Sequence, residues 1–81
     1  MTGEQLKQAQ RLMNEMGKLK YNLDRLEAMG RTGGILLLKD QNGHTVTTAL
    51  LEDEDRTAVI AVMEEATRKA LAQRAAEFSA L

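Results

Sequence analysis

Apolar side chains recur at Ala9, Leu12, Met16, Leu19, Leu23 and Leu26, in alternating steps of three and four. That spacing returns to one stripe of an α-helix and defines a seam built to lie lengthwise on another helix. Leu6, Met13 and Met29 widen the stripe at one edge, and Arg11 and Glu15 are set to pair one turn apart on the wet side. From Gly3 to Met29 there is no proline, and Gly17 is the only internal glycine. Gly30 stands where a left-handed C′ residue would stop the helix. Gly17 reads as a tolerated weak spot rather than as a site of close helix approach.

The chain next reads Ile35-Leu36-Leu37-Leu38-Lys39, Asp40-Gln41-Asn42-Gly43, then His44 to Leu51. Asn-Gly between two β-prone runs predicts a hairpin with a type I′ turn, positive φ at both Asn42 and Gly43, and Leu37 opposite Thr48. One face then carries Ile35, Leu37, Lys39, Val46, Thr48 and Leu50. The other carries Leu36, Leu38, Asp40, Thr45, Thr47, Ala49 and Leu51, and a four-residue loop would leave these faces unchanged. After the acidic run Glu52-Asp53-Glu54-Asp55, with Asp53 expected as N-cap, a second helix carries Val59, Ile60, Met63, Ala66, Ala70, Leu71, Ala75, Phe78 and Leu81. Ala66 and Ala70 are expected to place small residues on its seam.

The expected fold is therefore α+β: one domain over 1–81, long helix, two-stranded hairpin, long helix (αββα). Eighty-one residues with 43% apolar content leave room for one core only. A first helix of about 40 Å cannot be covered by strands of about 20 Å. Two helices and a ribbon enclose a thin core, and with zero cysteine no disulfide reinforces it. Homo-oligomerisation, to a dimer or a higher even-numbered ring, is expected to bury what is left.

Composition narrows the chemistry. Aromatic residues make up 2% of the chain, which argues against base stacking, and the net charge of −1 argues against a nucleic-acid surface. Six basic residues against four acidic ones over 1–31, and four against seven over 52–81, favour docking of the two halves. The longest apolar run, Ile35 to Leu38, is too short to enter a membrane, and the lack of cysteine fits a reducing, cytoplasmic setting. His44 has no second ligand or thiol to work with, no phosphate-loop motif occurs, and neither catalysis, a metal nor a cofactor is expected.

One segment has the composition of an anion-binding nest: Arg31, Thr32, Gly33 and Gly34, following Gly30. A plain helix stop and turn accounts for the same residues. Arg68, Lys69 and Arg74 would add positive charge if a neighbouring subunit brought the second helix close. A small anionic nucleotide is the ligand such a site would take.

A first helix ending Leu26-Glu27-Ala28-Met29-Gly30, the Asn42-Gly43 hairpin, the acidic cap and the closing Glu77-Phe78-Ser79-Ala80-Leu81 together resemble the small accessory proteins of phage and prophage genomes. Several such groups are counter-defence proteins, either anti-CRISPR inhibitors or sponges for nucleotide signals. The resemblance lies in the layout of the whole chain and carries over no individual binding residue. It implies a homo-oligomer that sequesters a nucleotide signal or blocks a host defence protein. A coiled-coil assembly or adaptor module without a small-molecule ligand is the alternative.

Overall fold

The computed structural model describes all 81 residues as α1 (Gly3–Thr32), β1 (Leu37–Lys39), β2 (Thr45–Thr47) and α2 (Asp53–Ser79). The α+β αββα layout expected from the sequence is the observed one. The helices run antiparallel, with Arg11 of α1 beside Glu77 of α2, and Glu27 beside Arg68. No helix is long and apolar enough to cross a membrane.

The expected α1 seam is the seam of the fold. Leu12 is fully buried, Ala9 and Leu26 are buried, and Met16, Leu19 and Leu23 are half-buried. From α2, Ile60 and Thr67 are buried, while Val59, Ala70 and Leu71 are half-buried. Ala66 is exposed, contrary to its expected place on the seam, because the buried stripe of α2 passes through Thr67. That hydroxyl is satisfied inside its own helix by donating to the Met63 carbonyl at 2.6 Å.

Helix ends depart from expectation by a few residues. Thr2 caps α1 through a reciprocal capping box with Gln5, a signature readable as Thr-x-x-Gln. At the other end α1 continues through Gly30 and stops at Gly33, whose φ is +84° and whose N–H donates to Met29 O at 2.7 Å. Gly30 serves a different purpose: a Cβ there would lie 3.0 Å from Glu64 Oε1 on α2. A Cβ at Gly17 would meet nothing within 4 Å, as a tolerated weak spot should. Glu52, not Asp53, is the N-cap of α2, and its side chain makes no capping hydrogen bond. Asp53 is drawn instead into an ion pair with Arg56 one turn on.

The hairpin register is one residue away from the expected one. Leu37 pairs with Thr47, Leu38 with Val46 and Lys39 with Thr45, leaving a three-residue loop Gln41-Asn42-Gly43. Only Gly43, at +86°, has positive φ; Asn42 does not. The Asp40 carboxylate causes this. Its Oδ1 accepts the Asn42 and His44 N–H groups at 2.9 Å each, while Asp40 N–H donates to His44 O. The one-residue slip moves Val46 onto the face of Leu36 and Leu38, and leaves Ile35 and Leu37 with Thr45 and Thr47. At the base, buried Thr48 closes the ladder by donating its N–H to Leu36 O and accepting the Leu36 N–H on Oγ1.

Only six residues are buried. The molecule measures 51 × 30 × 14 Å, with a radius of gyration of 15.9 Å against about 12 Å for a compact domain of this length. Its accessible surface is 6331 Å², where a compact monomer of 9.0 kDa would expose about 4,800 Å². The two helices take up each other's seams. The six strand residues are exposed and cover is confined to the base of the ribbon at Leu36 and Thr48; neither strand comes within 8 Å of a helix between Cα atoms.

Leu12→Ala is expected to lower stability by about 2–5 kcal/mol in urea denaturation at fixed protein concentration, whereas Val62→Ala on the outer face stays within about 0.5 kcal/mol. The two helical glycines should also separate. Gly17→Ala gains roughly 0.8–1 kcal/mol from helix propensity alone, and Gly30→Ala gains less because its methyl meets Glu64.

Candidate functional site

Residues 31–34 do two structural jobs before any ligand is considered. The Thr32 hydroxyl donates to Ala28 O at 2.8 Å, and the Gly33 N–H is held by the helix end. Gly33 supplies the positive φ that turns the chain out of α1. Gly34 lets the chain pass Met29, since a Cβ there would sit 2.8 Å from both Met29 Cγ and Met29 Cε. The helix therefore uses two of the donor groups that a nest would offer an anion.

The candidates fall into four places. Thr32, Gly33 and Gly34 line a cleft of about 270 Å³ facing the first turn of α2, where Asp53, Arg56 and Thr57 stand opposite. Arg56, which the sequence reading passed over, is the only cation among those lining residues. Its guanidinium bonds Ala49 O at 3.3 Å and pairs with Asp53. Its position one turn after Asp53 was the available signal. Glu52, Asp53, Glu54 and Asp55 surround this helix start and offset the positive end of its dipole.

Arg31 turns to the other side of the loop. It shares with Arg68 a depression of about 470 Å³ over Gly30, which Glu27 and Glu64 also line. Arg31 and Arg68 are thus brought together within one chain, without a second subunit. Arg68 Nη2 lies 3.3 Å from Glu27 Oε1 and 3.1 Å from Glu64 Oε2, so the depression holds two cations and two carboxylates. Arg74 is elsewhere, its Nε 3.5 Å from Glu15 Oε1. Lys69 lies on the outer face of α2 beside Ala61, Val62, Glu65 and Ala66, on an open surface that Arg68 also lines.

The ion pairs between the helices run against the net charge of each half. Two of the three set an arginine of acidic α2 against a glutamate of basic α1. They are partly exposed and weak one by one, and they fix the register of the pair rather than supply its stability. No group of three or more His, Cys, Asp or Glu side chains is placed to hold a metal ion. His44 Nδ1 lies 3.3 Å from Asp40 Oδ2 on the exposed turn.

No protein-family model matches the chain, and neither the curated proteins nor the solved structures contain a detectable match to it.

Gly34→Ala is expected to destabilise by about 1–3 kcal/mol, as overpacking does, and Met29→Ala in the same chain should recover part of that loss. Arg31→Ala should leave the melting temperature unchanged, since its exposed side chain makes no ion pair.

Proposed function

We propose that the protein is a non-enzymatic, cytoplasmic homo-oligomer that acts by binding another protein through its apolar ribbon. The exposure of that ribbon carries the reading: Leu38 is 52% exposed and its cross-strand partner Val46 65%, on one face of the ribbon, and Leu50 is 94% exposed. A contiguous apolar surface left in solvent is the physical signature of a protein–protein contact. In the setting implied by the resemblance to phage accessory proteins, the protein bound is a host defence component and binding blocks it.

Sequestration of a nucleotide signal is the second reading, and the juxtaposition of Arg31 and Arg68 favours it. Glu27 and Glu64 oppose it, because a phosphate entering the depression would meet their charge before either guanidinium was free. Coiled-coil assembly without a ligand would join other proteins through the helix seam, and against it α1 and α2 already cover each other's seams.

Thermal unfolding with a panel of cyclic mono- and dinucleotides separates these readings. A nucleotide bound at 100 times its Kd would stabilise the protein by roughly 2.7 kcal/mol, and the protein-binding reading expects no response. In a phage-restriction assay, Val46→Lys should abolish the protein's effect and Arg31→Ala should preserve it. The opposite pattern, with a nucleotide-dependent rise in melting temperature, would establish sequestration.

A further inference from the structure

The excess surface has a specific outlet. The Leu36:Thr48 and Asp40:His44 pairs turn their main-chain hydrogen bonds inward, as the Thr48 N–H to Leu36 O and Asp40 N–H to His44 O bonds show. In an antiparallel ladder the intervening residues turn theirs outward. Along β1 those residues are Leu37 and Lys39, preceded by Ile35; no further strand pairs with them and no helix comes within 8 Å of β1 between Cα atoms, while Leu37 borders a cleft that Asn22, Arg25 and Met29 of α1 also line. The outer edge of β2 is different: it carries Thr45 and Thr47, and the Thr47 hydroxyl already accepts the Ala49 N–H at 3.1 Å.

We propose that a second copy of this chain pairs with the free edge of β1, antiparallel about a two-fold axis at Leu37, giving a four-stranded sheet in the order β2-β1-β1-β2. The proposal rests on the homo-oligomer reading above and assigns its interface. The run Ile35-Leu36-Leu37-Leu38-Lys39 is self-complementary in this register. Leu37 meets Leu37 of the second copy, Leu36 meets Leu38, and Ile35 lies beside the aliphatic stem of Lys39. Like charges do not face each other, because the two Lys39 residues stand at opposite ends of the paired edge. All the outward main-chain groups of Ile35, Leu37 and Lys39 then find partners.

Area points to a second copy as the occupant. The chain exposes 6331 Å², about 1,500 Å² above a compact monomer of its mass. A standard interface removes roughly 800 Å² from each partner, so the surplus is enough for a stable dimer. An isologous contact also satisfies both β1 edges at once, so pairing through β1 closes at two copies and only the threonine-bearing β2 edges stay outermost. The faces of the joined sheet, with Leu38 and Val46 on one and Ile35 on the other, remain for a target protein.

The chain has no cysteine, so single-cysteine variants report the register without background. Opposed residues in a hydrogen-bonded pair lie about 5.5 Å apart between Cα atoms, inside the disulfide range of about 4.4–6.8 Å. Leu37→Cys should oxidise to a species of twice the 9.0 kDa chain mass at least tenfold faster than Thr45→Cys, whose copies would lie on outer strands about 14 Å apart. Leu37→Lys should raise the dimer dissociation constant by about a hundredfold by opposing two like charges, with helical content retained above that concentration, while Thr45→Lys leaves it unchanged. A wild type that sediments as a dimer with Leu37→Cys and Thr45→Cys oxidising equally slowly would overturn the β1 interface and leave the homo-oligomer reading standing. A folded 9.0 kDa monomer at micromolar concentration would overturn both, with the edge then open to a strand of another protein.

Discussion

The antiparallel seam between α1 and α2 is the interaction on which the rest of the molecule depends. It contains all the buried apolar side chains, Ala9, Leu12 and Leu26 from one helix and Ile60 from the other. Small residues set its spacing: Gly30 admits Glu64 and Ile60 at the loop end, and Thr67 sits in the middle with its hydroxyl turned back onto its own helix. Such a seam is one layer deep. Burial per residue falls steeply in domains this small, so a helix pair with an uncovered ribbon leaves little margin. The proposed association with another chain would add to that margin.

Periodicity made the seam legible, because a three-four repeat survives any rearrangement of the exposed residues. The hairpin was legible as an element but not in its register. Asn42-Gly43 supports either a two-residue loop or a three-residue loop with positive φ at Gly43 alone. The choice fell to the Asp40 carboxylate, which gathers the Asn42 and His44 N–H groups. Competition of the same kind displaced the helix ends. Gly30 and Gly33 both suit a helix stop, and contact with α2 reserves Gly30 for packing. Asp53 suits an N-cap, yet Arg56 draws its carboxylate away.

The candidate site was legible as composition and illegible as geometry. Arg31, Thr32, Gly33 and Gly34 do stand together at the end of α1, but the helix engages the Thr32 hydroxyl and the Gly33 N–H. Glu27 and Glu64 surround Arg68: Glu64 stands one turn away on α2, a pairing the local sequence carries, whereas Glu27 arrives from α1 across 41 residues and leaves no local trace. The ribbon moved the other way: the slip that joined Val46 to Leu36 and Leu38 produced one coherent apolar face and left β1 with the more apolar edge.

Amide hydrogen exchange, followed residue by residue at two protein concentrations about a hundredfold apart, tests this arrangement most directly. The amides of Leu12, Leu26 and Ile60 should exchange among the slowest in the chain. Those of Leu37 and Lys39 should exchange quickly in dilute solution and slow markedly on concentration, when the proposed second copy would cover them. Equal protection of Leu37 and Lys39 at both concentrations, with the protein monomeric throughout, would contradict a fold whose ribbon depends on another chain for cover.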